Sequence, residues 1–294
     1  MHAVGVTDLR VLTGGTEAPT YLLLHGLGAT AEVWDGLTAR LGDATWVAPD
    51  LPGHGRSSAL PSYSFAGVAA AVAGLVDPRG TVIVGHSFGG VVGLHLAGRP
   101  GVRAVVGLGI KVDWSDEELA RAAALAERPA PVYATRDEAA HRHLRIAGLA
   151  APAPVTGPVP APAAEPVLGA GPAPAPAAEP VLGNGSAPTP AAEPASVAGS
   201  VPAAALVETA EGWRPAFDPR VFAVGDPHVA ALLAVASVPV VLARGADDPM
   251  VSADQITTLG VDPVELPGLG HNAHVEAPEV LLPLLELFVS RRAG

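Results

Sequence analysis

One serine of this chain stands in a pattern that suits nucleophilic catalysis. Residues 85–89 read Gly85-His86-Ser87-Phe88-Gly89, after an apolar run and before a helical pattern. A nucleophilic serine must protrude from the backbone with its Oγ free, and a sharp strand-to-helix turn achieves this. The glycines keep other side chains out of that turn, and the following helix directs its N-terminal dipole at the charge that develops during attack. We therefore predict that Ser87 is a nucleophile.

A serine is a weak nucleophile at neutral pH, so it needs a base and a carboxylate that orients the base. Two later segments contain such groups. Residues 244–251 carry the adjacent Asp247 and Asp248, and residues 268–274 carry His271 and His274. Asp113, which follows an earlier predicted strand, is a third candidate for the acid. A chain order of Ser, Asp and His is compatible with each of these choices.

The elements that must position these residues alternate between short apolar strands and helices. Strands are predicted at residues 20–24, 45–48, 81–84, 102–108, 239–243 and 264–266, and helices at residues 31–41, 65–76, 88–97 and 278–291. Strand–helix alternation of this kind predicts an α/β fold with a doubly wound, mostly parallel sheet.

The alternation of strands and helices is interrupted in the middle of the chain. We predict two core parts, residues 1–110 and 236–294, separated by a helical insertion at residues 111–235 that includes a helix over 115–128 with Ser115 as N-cap. Residues 151–202 are rich in proline and alanine and contain a 14-residue repeat that starts at Pro160, Pro174 and Pro188. The composition predicts a disordered, low-complexity linker without a catalytic role.

The serine motif, together with two glycine-rich segments, resembles the α/β-hydrolase fold family over residues 15–112 and 236–292. The segments are His25-Gly26-Leu27-Gly28, after the first predicted strand, and residues 50–57 with the sequence DLPGHGRS. The resemblance implies a central sheet with helices on both faces and a helical cap over the active site. It also implies an oxyanion hole built from the backbone N–H groups of Leu27 and Phe88.

The same resemblance chooses among the remaining candidates. The family pattern places the acid three residues after a glycine and the base directly after one, which implies Asp248 and His271. Asp50 and Ser57 are then structural anchors, and His54 is not catalytic. A metal site at His271 and His274 is not expected, because the triad already explains the carboxylate and the chain has no H-E-x-x-H motif.

Other polar and aromatic side chains receive supporting roles. We expect His86 and Glu276 to pack or to hydrogen-bond beside the site, and we expect His141, His143 and His228 to lie on solvated faces of the insertion. Core positions are predicted for Trp34, Trp46 and Phe288, while Trp114, Trp213, Phe217 and Phe222 are candidates either to line the substrate pocket or to join the insertion to the core.

Composition excludes several classes of function. The formal net charge is −12, with 17 basic and 29 acidic residues, so we expect neither a nucleic-acid nor a membrane partner. The chain has no cysteine, which excludes disulfides, thiolate metal sites and a cysteine nucleophile. Residues 1–15 lack the pattern of a signal peptide, and we predict a cytoplasmic protein that uses no cofactor.

The resemblance thus predicts a serine hydrolase for a small or medium, mostly uncharged carboxylic ester, thioester or lactone. Its expected partner is an ester-like small molecule. Two alternatives use the same fold: a non-hydrolytic reaction such as acyl transfer, a lyase step or perhydrolysis, and a small-molecule receptor.

Overall fold

The computed structural model describes residues 8–149 and 201–289. The predicted linker at 151–202 lies outside the described residues except for its last two positions. One of these, Val201, is only 4% exposed and packs with Ala139, Ala140 and Leu206. Val201 therefore belongs to the packed part of the insertion and not to the disordered linker predicted from the sequence.

The strands predicted from the sequence are present, with small changes at their ends. The strands are β1 (Val11–Gly14), β2 (Glu17–Leu24), β3 (Ala44–Pro49), β4 (Thr81–His86), β5 (Val102–Leu108), β6 (Leu206–Thr209), β7 (Gly212–Pro215), β8 (Val240–Gly245) and β9 (Val264–Leu266). Seven of them form one sheet in the order β1-β3-β2-β4-β5-β8-β9. All its neighbouring strands run parallel except β1, which pairs with β3 in the antiparallel direction. The predicted α/β, mostly parallel architecture is confirmed.

The strand order of the sheet reverses between β2 and β4. In open α/β sheets, the carboxyl ends of the strands at such a reversal form the crevice where ligands bind. Leu24, at the end of β2, pairs with Gly85 of β4. The loops that follow these two strands therefore leave the same edge of the sheet side by side, which brings residues 25–28 next to Ser87.

Helices cover both faces of the sheet. The helices of the described residues, including those of the insertion, are α1 (Asp35–Thr38), α2 (Phe65–Val72), α3 (Phe88–Leu96), α4 (Asp116–Ala126), α5 (Arg136–Ile146), α6 (Val229–Val235), α7 (Ala253–Thr257), α8 (Ala273–Glu276) and α9 (Leu282–Val289). The helix predicted at residues 31–41 is instead a 3₁₀ turn, Ala31–Trp34, followed by α1. Ser115 is the N-cap of α4, as predicted, and Glu118 completes a capping box with it.

Two hydrophobic layers result from the alternation of side chains along the strands. Leu22 and Leu24 of β2 face the layer that contains α2 and α3, whereas Tyr21 and Leu23 face the layer that contains α9. As predicted, Trp34 is buried in the second layer, and Trp46 and Phe288 pack against it.

The insertion between β5 and β8 is not purely helical, contrary to the sequence prediction. Besides α4 and α5 it contains the antiparallel hairpin β6–β7, which contacts α5 and does not join the main sheet. Within residues 8–149 and 201–289, no helix has both the length and the apolar character needed to cross a membrane.

Candidate active site

Ser87 occupies the sharp turn between β4 and α3. Its backbone has φ 47° and ψ −113°, a conformation that non-glycine residues rarely adopt. The Ser87 N–H donates a 2.7 Å hydrogen bond to the carbonyl oxygen of Leu108, which ties the turn to the end of β5. Such strained positions cluster at functional sites because they hold a side chain out of the regular structure.

The two glycines of the motif are required by close backbone contacts. A Cβ added to Gly85 would lie 2.4 Å from the carbonyl oxygen of Gly89. A Cβ added to Gly89 would lie 2.2 Å from the carbonyl oxygen of Leu24. Any side chain at either position would therefore push α3 away from β2 and β4, and the turn would lose its shape.

His271 and Asp248 form a hydrogen-bonded pair. The Nδ1 of His271 lies 3.0 Å from Oδ2 of Asp248, whose side chain is fully buried. A carboxylate only accepts, so Nδ1 carries the proton and Nε2 is left as the acceptor. The other carboxylate oxygen accepts a 2.8 Å bond from the Met250 N–H. The structure thus brings Asp248 to His271, while Asp247 and Asp113 are exposed.

Arg244 supports the loop that carries Asp248, and sequence reasoning assigned it no role. Its guanidinium is buried and donates to the carbonyl oxygens of Ala246, Asp248 and Val251, at 3.0, 3.2 and 2.8 Å. It also forms an ion pair with Glu265 of β9. The only sequence signal was a charged residue inside an otherwise apolar strand, next to the loop that contains the acid.

His86 supports the other side of His271. Its Nε2–H donates a 3.0 Å hydrogen bond to the carbonyl oxygen of His271. Burial lowers the pKa of His86 well below its ordinary value, as does its proximity to His274 and His271. Glu276 accepts a 2.8 Å bond from the Gly270 N–H. Both contacts agree with the supporting roles expected for His86 and Glu276.

His274 does not line the cavity that Ser87 and His271 share. It is 1% exposed, its ring centroid is 4.2 Å from that of His86, and burial lowers its pKa to about 3. Among the residues that the structure describes, no group of three or more His, Cys, Asp or Glu side chains could hold a metal ion.

The loop after β2 is held by His25. Its Nδ1–H donates to the carbonyl oxygen of Gly26 at 2.8 Å, and its Nε2 accepts from the Leu51 N–H at 2.8 Å. This arrangement directs Leu27 to the cavity that Ser87, Phe88 and His271 also line. Phe88 is the first residue of α3, so its N–H has no acceptor within the helix. Both N–H groups are thus available candidates for oxyanion binding.

The DLPGHGRS segment anchors this region, as the sequence indicated. The Asp50 carboxylate accepts from the N–H groups of Ala31 and Arg56, at 2.9 and 3.0 Å, and the Ser57 hydroxyl donates to the Asp50 carbonyl at 2.6 Å. His54 is 1% exposed, and burial lowers its pKa to about 3.

A cavity of about 880 Å³ opens beside Ser87 and His271. Pockets of this size hold whole small-molecule ligands. The insertion contributes Trp114 and Phe222 to its wall. Of the other two aromatic candidates, Trp213 contacts Arg136, and Phe217 is buried against His54.

The wall also carries the cationic side chains of Lys111, Arg142 and Arg145. A cationic wall suits an anionic ligand group better than the mostly uncharged substrate that the sequence predicted.

The prediction for His143 was wrong. This residue of α5 is 3% exposed, and burial lowers its pKa to about 4. It shares a helix face with Ala139 and Ala140, which are buried too, because residues three and four apart lie on the same side. His141 and His228 are exposed, as predicted.

Comparison with known protein families gives a match along most of the chain. A sequence model described as "Alpha/beta hydrolase family" matches residues 21–284. Lipase LipV of Mycobacterium tuberculosis (strain ATCC 25618 / H37Rv) is 38% identical over 96 residues, which is 31% of this chain and 37% of the lipase. The aligned segment therefore spans little more than a third of that relative.

Two solved structures show the same fold. A thioesterase domain from the curacin biosynthetic pathway has a TM-score of 0.68 and 18% identity, and the match covers 97% of both chains. E-2-(Acetamidomethylene)succinate hydrolase has a TM-score of 0.68 and 21% identity, and the match covers 97% of this chain and 96% of the other.

Proposed function

The chain belongs to the alpha/beta hydrolase family, and from that premise we propose that it hydrolyses a small or medium carboxylic ester, thioester or lactone through an acyl-enzyme on Ser87. The observation that carries this proposal is the hydrogen bond between His271 and the buried Asp248, in a cavity that Ser87 also lines. These are the three groups that a serine nucleophile requires.

In the first half of the reaction, Nε2 of His271 takes the proton of the Ser87 hydroxyl while Oγ attacks the carbonyl carbon. Asp248 holds the imidazole in the tautomer that leaves Nε2 free, and it stabilises the imidazolium that forms. The N–H groups of Leu27 and Phe88 stabilise the oxyanion, and each such donor is worth roughly 10²–10³ in rate. His271 then protonates the leaving alcohol or thiol, and the acyl group remains on Ser87.

In the second half, a water molecule takes the place of the leaving group. His271 accepts its proton, the water oxygen attacks the acyl carbon, and the same N–H groups stabilise the second oxyanion. Collapse of this intermediate breaks the bond to Ser87 Oγ, which regains its proton from His271. The products are the free acid and the starting enzyme.

The names of similar proteins support hydrolysis as the reaction class. One similar sequence is called a lipase, and two similar structures are called a thioesterase domain and a hydrolase. These names describe those proteins, and the substrate proposed for this chain rests on its own residues.

The test is a series of p-nitrophenyl esters of increasing chain length, measured beside thioesters and lactones. We expect turnover with a preferred chain length, and Ser87→Ala should lower kcat by about 10⁴ or more. Ser58→Ala, which removes an exposed hydroxyl, is the matched control. Activity of Ser87→Ala within tenfold of the parent would contradict the proposal.

A further inference from the structure

The charge of the cavity is opposite to that of the chain. Acidic residues outnumber basic ones by 29 to 17 in the whole sequence. Among the described residues that line the cavity beside Ser87, Lys111, Arg142 and Arg145 are cationic and none is acidic. A low-dielectric cavity lined by charge of one sign concentrates ligands of the other sign. An excess of cations in an acidic protein therefore points to an anionic ligand group.

Helix α5 presents two of these cations in a fixed position. A capping box at Thr135 and Glu138 begins the helix. Arg142 and Arg145 are three residues apart, so they project from the same side. Ala139, Ala140 and His143 are buried and hold the helix against the rest of the molecule.

The end of α5 is joined to both loops of the candidate site. A Cβ added to Gly28, beside Leu27, would lie 2.3 Å from Cγ2 of Ile146, so the helix end lies directly against this loop. Asn272, the neighbour of His271, donates a 2.8 Å hydrogen bond from Nδ2 to the carbonyl oxygen of Gly148. These two contacts fix the end of α5, which carries the arginines, relative to the loops that carry Leu27 and His271.

Lys111 is less suited to bind a ligand charge. Its Nζ lies 2.9 Å from Oε1 of Glu118, and both side chains are largely buried. It also lies 5.3 Å from the centroid of the Trp114 ring. An internal carboxylate therefore already neutralises Lys111. A guanidinium presents its N–H donors in a planar fork that matches carboxylate and phosphate oxygens.

We propose that the substrate of this site carries an anionic group, a carboxylate or a phosphate, which Arg142 and Arg145 bind at the wall of the cavity formed by α5. This inference rests on the proposed function for the location of the reacting ester. It narrows the substrate class from carboxylic esters and thioesters in general to those with a negative charge outside the reacting bond.

The first experiment compares substrates with and without an anionic group. The kcat/KM for mono-p-nitrophenyl glutarate is measured against that for p-nitrophenyl pentanoate, and the kcat/KM for S-butanoyl-4′-phosphopantetheine against that for S-butanoylpantetheine. We expect the anionic member of at least one pair to be favoured about tenfold or more. Preference in the first pair identifies a carboxylate on the acyl group, and preference in the second identifies phosphate on the leaving group.

The second experiment assigns the preference to α5. Arg142→Gln and Arg145→Gln should each lower the anionic-to-neutral ratio of kcat/KM by about tenfold. Arg145→Glu should turn the preference toward p-nitrophenyl 5-(trimethylammonio)pentanoate, which carries a positive charge. Arg121→Gln is the matched control, because it removes an exposed cation of α4 that does not line the cavity. We expect it to leave the ratio unchanged.

A binding measurement keeps this inference separate from the proposed function. Calorimetry on Ser87→Ala should detect binding of glutarate or inorganic phosphate and no binding of the uncharged pentanamide, and Arg145→Gln in that background should abolish the signal. Ser87-dependent hydrolysis with equal rates within both pairs would overturn the anion-binding role and leave the hydrolase intact. Absence of all turnover would overturn the proposed hydrolase, while anion binding lost in Arg145→Gln would still support the role of α5.

Discussion

Replacing Asp248 by asparagine keeps the shape of the side chain and exchanges one oxygen for an N–H donor. In the native structure, Oδ1 of Asp248 accepts from the Met250 N–H at 2.8 Å, and Oδ2 faces Nδ1 of His271 at 3.0 Å. The asparagine oxygen will remain with the Met250 N–H, because the opposite orientation would bring two donors together in a fully buried place. The amide nitrogen of the new residue must then point at His271.

This orientation forces His271 into the wrong tautomer. With an N–H donor opposite, Nδ1 becomes the acceptor and the proton moves to Nε2, which can no longer take the proton of Ser87. In a Ser-His-Asp triad this change costs about 10⁴ in kcat. At 1.36 kcal/mol for each factor of ten, the transition state loses about 5.4 kcal/mol.

The assay is kcat for the best p-nitrophenyl ester, with Asp247→Asn and Asp113→Asn as controls. Both control aspartates are exposed, and the Asp247 N–H is bonded to the Leu269 carbonyl, away from His271. Each control should stay within about threefold of the parent enzyme, since surface substitutions rarely disturb a distant site. A larger loss for either control than for Asp248→Asn would refute the assignment of the acid.

Two further predictions concern stability. Gly89→Ala places a Cβ 2.2 and 2.5 Å from two backbone carbonyl oxygens, so it should lower the free energy of unfolding by about 3 kcal/mol. Gly98→Ala is the control: a Cβ there meets nothing within 4 Å, so the free energy of unfolding should change by less than about 0.5 kcal/mol. Equal urea midpoints for the two variants would contradict this prediction. Burial lowers the pKa of His143 from 6.5 to about 4, so the unfolded chain binds a proton at this residue more readily than the folded protein does. As the pH drops from 6.5 to 4, this difference should lower the free energy of unfolding by about 2–3 kcal/mol. His143→Gln should remove that part of the loss and exposed His141→Gln should not, as measured by urea denaturation at each pH; equal slopes for the two variants would disprove it.

The parts of the fold that could be predicted are those with strong local signals. Buried parallel strands are short apolar runs, and β4 followed by a Gly-x-Ser-x-Gly turn has few other interpretations. β1 was not predicted, because this short strand at the edge of the sheet has no continuous apolar run. The hairpin β6–β7 was missed for a similar reason: neither strand is a continuous apolar run, and its contacts with α5, Tyr133 and Arg56 form only on folding.

The candidate site divides in the same way. Ser87, Asp248 and His271 follow strand ends and carry recognisable neighbours, so their approach to one another could be predicted. Arg244 could not, because its role depends on carbonyl groups that only folding brings around it. The burial of His143 was missed because charged neighbours suggested a solvated helix, although the spacing from Ala139 indicates its buried face.

The position of the cationic residues in the cavity wall could not be predicted from the sequence either. Lys111 and the arginines of α5 are separated in sequence, and nothing local indicates that they share a wall with Ser87. Their convergence depends on how the insertion folds back over the sheet, which is a matter of long-range contacts. Charge composition alone suggested the opposite of what the cavity contains.

The most direct test of the proposed chemistry is covalent labelling with a fluorophosphonate probe, followed by mass spectrometric mapping of the modified peptide. We expect stoichiometric labelling at Ser87, slowed about 10³-fold or more in a variant whose His271 is replaced by alanine, because the hydroxyl then has no base. Ser87→Ala should not be labelled. A label on any other residue, or one that persists in Ser87→Ala, would contradict the assignment of Ser87 as the nucleophile.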